Sequence, residues 1–349
     1  MLLRRSTSSF AALLAVAALA AGCGGSSPSS TAPESRPAPP ASEFPSAAGK
    51  TLGEVVKAAN GSSDLVASPA AMVFHRGENR FPFGVFHKDR SQVAGAQVAL
   101  YFAKAPPAAK KPGGGATGGK APKLKPFAVP AIGPFPAAIE SLATKPAFRA
   151  RTTSGDPNAA SVVYVAHVDF PADGEWRVVA LIKQGGELKA TLLPSAVVGG
   201  FGGVPRVGQR APLIHTPTAA EVGGDLAKIT TRIPPDTQNR VDYANVLGKK
   251  PIVLLFATPQ FCQSRVCGPV VDVAEQVKRA YGEGVAFIHM EIYNENNPNR
   301  GVRPQVQAFH LPSEPWAFVI DRRGTIGAAI EGAFGVEELT RAVKAVTGR

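Results

Sequence analysis

The chain predicts an all-β sandwich followed by an α/β domain with a central mixed sheet flanked by helices. Three observations predict it. Residues 60–198 hold several short runs of strand composition separated by glycine and proline turns, the pattern of a sandwich. Two continuous apolar runs, Pro251–Thr258 (PIVLLFAT) and Val285–Ile292 (VAFIHMEI), read as strands buried on both faces. An amphipathic helix over 269–281 lies between these two strands, so they should run parallel.

Taken in order, the chain opens with a secretory signal over residues 1–22. Arg4 and Arg5 form its charged end, and Phe10–Ala21 its apolar core, too short for an ordinary membrane span and ending in small residues. Residues 23–59, rich in Ser, Pro, Ala and Gly, predict a disordered tether, because they offer little apolar surface to offset the entropy of ordering. In the region 60–198, Phe81–Phe86, Gln97–Ala103, Val162–Phe170, Trp176–Ile182 and Leu188–Leu193 read as strands, with turns at Asp173-Gly174 and Gly185-Gly186. Residues 104–146 read as a Lys/Pro/Gly-rich insert between strands. Within it, 104–125 carry six lysines and no acid, half of the net charge of +12. That concentration, without interleaved aromatics, argues for a solvated basic loop and against a nucleic-acid partner.

The second domain spans 205–349. Pro269 suits the first turn of its long helix, and Val270, Val273, Ala274, Val277 and Tyr281 share one face. Trp316–Asp321 and Thr325–Glu331 form a hairpin across Arg322-Arg323-Gly324, and Val336–Val346 closes the chain as a helix with Glu337 and Glu338 at its start. Cys262 and Cys267 lie where the first strand gives way to the helix, where free N–H groups and the positive helix end favour thiolate. Residues five apart on one helix are separated by ~7.5 Å along its axis, beyond the ~7 Å Cα separation a disulfide tolerates. If the two cysteines pair, Cys262 must therefore precede the helix and Cys267 occupy its first turn. Cys262 is then the exposed attacking thiol and Cys267 the resolving one. Arg265 between them favours the thiolate.

Several motifs carry resemblances. Leu19-Ala20-Ala21-Gly22-Cys23 resembles the lipobox of bacterial lipoproteins, with Ala20 where the usual leucine stands. The resemblance implies acylation of Cys23, attachment to the cell membrane through a lipid anchor, and an extracytoplasmic location. VDFPADGEWRVVALI resembles the late hairpin of immunoglobulin-like modules in exported bacterial proteins. Strand, helix, strand, hairpin and helix, with cysteines after the first strand, resemble the thioredoxin fold. Val207-Gly208-x-x-Ala211-Pro212, the loop Asn245–Pro251 and Ser313-Glu314-Pro315-Trp316 are similar to segments of extracytoplasmic thioredoxin-like and peroxiredoxin-like proteins. That family places a cis-proline where Pro315 stands, facing the attacking cysteine, which implies that the adjacent Glu314 opposes the thiolate.

The resemblance implies thiol–disulfide exchange with the thiols or disulfides of exported proteins, with Cys262, Cys267 and Pro315 at the site and no cofactor. Four residues separate the cysteines where the family has two. A structural disulfide in a non-catalytic binding domain therefore stays open, as does a copper chaperone of the Sco type. The latter needs a distal histidine. His289, inside an apolar strand where a hydrogen-bonded core histidine is the commoner outcome, and His310, before Leu311-Pro312 near the expected active-site loop, are the candidates in this domain, with His310 the candidate metal ligand. A peroxidase is disfavoured, since Pro259 occupies the position of the threonine three before the reactive cysteine. No Gly-rich phosphate loop, zinc motif or serine elbow is present.

Overall fold

Seven antiparallel strands make up the first sheet, and one of them serves two halves of it. In the computed structural model, which describes residues 33–59, 64–106, 128–155, 159–262 and 266–348, the strands are β1 (Leu65–Pro69), β2 (Gly77–His87), β3 (Gln97–Lys104), β4 (Ile132–Ser141), β5 (Val162–Phe170), β6 (Gly174–Gln184) and β7 (Glu187–Val198). Their order is β1-β2-β5-β4-β3-β6-β7. The first half of β4 pairs with β3, where Pro136 faces Ala99, and the second half pairs with β5, where Ala137 faces Ala166. Two half-sheets thus meet through one strand that changes partners, and they enclose a common core. Phe81 on β2 packs edge-on against Phe102 on β3, with ring centroids 5.4 Å apart, although two strands separate β2 from β3 in the sheet. The β6–β7 hairpin turns at Gly185 and Gly186, whose φ of 60° and 83° are the positive pair that a tight two-residue turn demands.

Two segments depart from expectation. Residues 33–59 do not form a disordered tether. They carry helix α1 (Leu52–Lys57), started by a capping box in which Thr51 Oγ1 accepts from the Glu54 N–H and the Glu54 carboxylate accepts from the Thr51 N–H. Leu52 and Val55 are fully buried, and with Phe44 they cover Tyr101, Val179 and Leu181 on the outer face of β3 and β6. Each such burial stabilises by about 1.5–3 kcal/mol, which outweighs the loop-like composition. Nor is 104–146 only an insert, since it contains β4 and the short helix α2 follows it at Arg151–Ser154. The expected signal segment 1–22, residues 23–32 of the expected tether and 107–127 of the insert lie outside the described residues.

The second sheet has four strands in the order β11-β10-β8-β9. β8 (Ile252–Phe256) and β9 (Ala286–Met290) run parallel, joined by α4 (Cys267–Tyr281), while β10 (Trp316–Ile320) and β11 (Ile326–Glu331) form an antiparallel hairpin. Both faces are covered, as the continuous apolar runs require. Val253, Leu255, Phe287 and Val319 face α4 and α6 (Val336–Thr347). Leu254, Phe256, Ile288 and Phe318 face the other way, onto Tyr243 of α3 (Tyr243–Val246), Val306 of α5 (Pro304–Ala308) and the linker residues Val204 and Ile214.

The two regions pack as one compact unit. Leu142, Val163 and Val165 of the first region share a core with α4 and α6. Arg80 of β2 donates to both carboxylate oxygens of Glu338, at 2.6 and 2.8 Å, and to the carbonyls of Glu331 and Ala333. Among the described residues no helix is long and apolar enough to cross a membrane.

Candidate functional site

β8 ends at Phe256, and the chain passes through Thr258 and Pro259 to Cys262 before α4 begins at Cys267. The Cys267 N–H, unclaimed by the helix at its first residue, donates to the Cys262 sulfur at 3.3 Å. The structure carries both cysteines as thiols. Their surroundings differ sharply. Cys262 is half-buried and lines a cleft of about 570 Å³, whereas Cys267, the first residue of α4, is fully buried in the core between the second sheet and the helices. Burial holds the Cys267 thiol well above its ordinary pKa, reinforced by its hydrogen bond to Cys262, the Cys262 charge and the Glu314 carboxylate.

The loop before β10 lies at the same end of the sheet. Trp316 pairs with Phe256, the last residue of β8, so Glu314 and Pro315 adjoin the segment leading to Cys262. The Glu314–Pro315 peptide is cis. Glu314 is half-buried, and burial raises its pKa. Tyr293 belongs to the same neighbourhood. Its hydroxyl pKa is raised by burial and then by Glu314, Cys262 and Cys267, and its ring lies 6.3 Å from that of Phe261. The proline loop is fixed from below by Ser313, which donates to Glu331 and accepts from the Trp316 indole N–H at 3.1 Å. Glu331 also accepts from the Met72 and Val73 N–H groups, each at 2.9 Å, so the first region helps hold this loop.

The structure therefore gathers Cys262, Cys267 and Glu314, and places Pro315 beside them. Arg265 and Cys23 lie outside the described residues. His289 is not near the surface. It is fully buried, with Nδ1 donating to Asp236 at 2.8 Å and Nε2 donating to the Ala257 carbonyl at 3.0 Å. Burial disfavours its charge, but Asp236 more than compensates and raises its pKa to about 9, while Asp236 itself falls to about 2. His310 sits exposed at the end of α5, against Gly203. Among the described residues, no group of three or more His, Cys, Asp and Glu side chains is arranged to hold a metal ion.

One wall of the cleft had no sequence signal. Arg151, Thr152 and Thr153 of α2 and Gly155 just after it, all in the first region, face Pro259, Gln260 and Cys262 across it. Thr153 lies so close to the first turn of α4 that a Cβ on Gly268 would stand 2.9 Å from its Oγ1. Arg232 secures the same junction. It donates to Asp272 of α4 at 2.9 Å and to the Phe148 carbonyl at 2.6 Å, while Asp272 accepts from the Ala150 N–H at 3.1 Å.

No family model and no curated protein sequence matches this chain. Among solved structures, it is similar to a thiol:disulfide interchange protein of the thioredoxin family from Chlorobium tepidum TLS, with 18% identity, a TM-score of 0.29, and coverage of 40% of this chain and 97% of that one.

Proposed function

We propose that this protein is a thiol–disulfide oxidoreductase acting on exported proteins, with a thioredoxin-like second region and an immunoglobulin-like first region, held on the outer face of the membrane by a lipid on Cys23. The observation that carries the redox reading is the asymmetry of the pair. Cys262 opens onto a cleft and accepts the N–H at the start of a 15-residue helix, while Cys267 is buried with its thiol kept protonated. The strand–helix–strand–hairpin–helix order, with a cis-proline loop at the cysteine end, supports the thioredoxin-like reading. The strand that changes partners between two antiparallel half-sheets supports the immunoglobulin-like one.

In the reducing direction the Cys262 thiolate attacks one sulfur of a substrate disulfide. A Cys262–substrate disulfide forms and the other substrate sulfur leaves as a thiolate. Cys267 then loses its proton and attacks the Cys262 sulfur. The protein disulfide forms, and the second substrate sulfur leaves and is protonated. Two electrons pass from the protein dithiol to the substrate, and the reverse sequence oxidises a substrate dithiol. Cys262 itself contributes to holding the Cys267 thiol protonated, through its hydrogen bond and charge. Conversion of Cys262 to a mixed disulfide removes that contribution at the moment Cys267 must react.

Trapping tests this reading. Cys267→Ser should accumulate a mixed disulfide with a substrate through Cys262, and Cys262→Ser should accumulate none. A reduction potential below about −300 mV, with no adduct on Cys267→Ser, would instead make the pair a structural disulfide.

A further inference from the structure

We infer that the first region reads the substrate: the surface beside Cys262 is a groove for a polypeptide carrying an apolar residue and acidic residues next to its reactive cysteine. This inference rests on the redox reading above for the position of the substrate sulfur.

A substrate sulfur bonded to Cys262 must lay its flanking chain along the adjoining surface. One such direction leads onto the first region. Beyond the Cys262 cleft lies a second cavity of about 350 Å³, walled by Val66, Phe83, Phe86, Val162, Val163 and Val266. The two adjoin, since Ala159 lines the cleft and Ala160 the groove, and Val266 of the groove lies two residues before Gly268 of the cleft. The groove floor is apolar, and Val66 is 49% exposed there. That much accessible valine surface in a concavity suits an apolar side chain.

The charges are of one sign. Exposed Lys88 and Arg90 stand on the rim of the groove, and exposed Arg151 stands in the cleft. Among the described residues, no acidic side chain lines either cavity. Asp89, between the two rim cations, is turned onto its own turn, where it accepts from the Ser91 N–H at 2.9 Å and the Ser91 hydroxyl at 2.6 Å. A strip of positive charge bordering an apolar trough complements an acidic-apolar segment and repels a basic one.

The experiment uses the full chain at low ionic strength with two fluorescent peptides of the form acidic-Leu-Ser-acidic and lysine-Leu-Ser-lysine. Serine replaces cysteine, so that binding is read without exchange. Wild type should bind the acidic peptide at least about tenfold more tightly than the basic one. Lys88→Glu with Arg90→Glu and Arg151→Glu should invert that order, and serine for leucine in the peptide should weaken binding about fivefold. In parallel, reduction of neutral 2-hydroxyethyl disulfide should proceed equally in wild type and in the Lys88→Glu Arg90→Glu double variant, which leaves the cleft residues unchanged. Equal binding of both peptides, a preference unchanged in the triple variant, or charge-dependent binding to phosphatidylglycerol vesicles with none to either peptide would overturn the groove. A preserved and invertible peptide preference with no reduction of 2-hydroxyethyl disulfide would instead sink the redox reading and support the groove.

Discussion

Replacing Arg232 with methionine should loosen the wall of the Cys262 cleft and the whole fold with it. Arg232 is 6% exposed, and its partner Asp272 is 1% exposed. The guanidinium serves three acceptors, Asp272 at 2.9 Å and the carbonyls of Pro234 and Phe148 at 2.8 and 2.6 Å. Methionine matches the stem but leaves a buried carboxylate without its cation. Removing one partner of such a pair costs about 3–5 kcal/mol, a large share of the roughly 5–15 kcal/mol that holds a domain together.

The sign of the pH dependence follows from Asp272. Burial already pushes its carboxyl up from the ordinary value, and Arg232 is the chief opposing influence. Without Arg232 the folded-state pKa rises further above the unfolded one. The penalty is then fully present above the folded-state pKa and shrinks as pH falls toward the ordinary carboxylate range. Urea unfolding at pH 7 and pH 5, followed by Trp176 in the first region and Trp316 in the second, measures it. Arg232→Met should lose at least about 3 kcal/mol at pH 7 and less at pH 5. Adding Asp272→Asn should recover about half, since the neutral amide still accepts the Ala150 N–H. The alkylation rate of Cys262 should rise in the single variant. A loss under about 1 kcal/mol, or no recovery in the double variant, would refute the account.

Three further outcomes follow from the same geometry. The buried His289–Asp236 pair stabilises fully below the ordinary histidine pKa, and that contribution is lost as pH rises through about 9, while the Asp236 contribution is lost as pH falls toward 2. Urea midpoints across pH 5–10 should fall at the alkaline end in wild type, and a flat profile equal to that of His289→Asn would contradict it. Gly268→Ala should cost about 1–3 kcal/mol because its Cβ meets Thr153 Oγ1 at 2.9 Å, and Thr153→Ala in the same chain should restore most of it in thermal melts. Leu52→Ala should cost about 2–5 kcal/mol, whereas a residue on a loose tether would cost nothing measurable by calorimetry.

The second region was legible because its signals are local. The runs at 251–258 and 285–292 are apolar on both faces, and the Asp321–Thr325 turn is built from its own Asp321 carboxylate. For Cys262 and Cys267 to pair, their spacing requires one to precede the helix, and α4 begins at Cys267. Where reading failed, composition hid a short signal or the partner was distant. Pro134 and Pro136 speak against a strand, since proline cannot donate to the ladder, yet β4 uses them where it passes from one half-sheet to the other. Thr51-x-x-Glu54 is a capping box in full view, obscured by the Ser/Pro/Ala-rich stretch before it. His289 fits a hydrogen-bonded core histidine, but its partner Asp236 comes from an irregular segment without periodicity. The cleft wall at Arg151–Gly155 depends on packing between distant parts of the chain, which no local pattern encodes.

β5 bears on how such a chain can be inherited. Val162, Tyr164, Ala166 and Val168 point into the core of the first sheet, while Val163 and Val165 point into the core shared with α4 and α6. The strand is a party wall between two rooms. Neither region can be cut out and shuffled into another protein without leaving valines bare on the severed face. Substitutions on β5 are also answerable to both cores, so lineages should vary freely at the hairpin tips and the lysine-rich segment while changing this strand only in concert with α4.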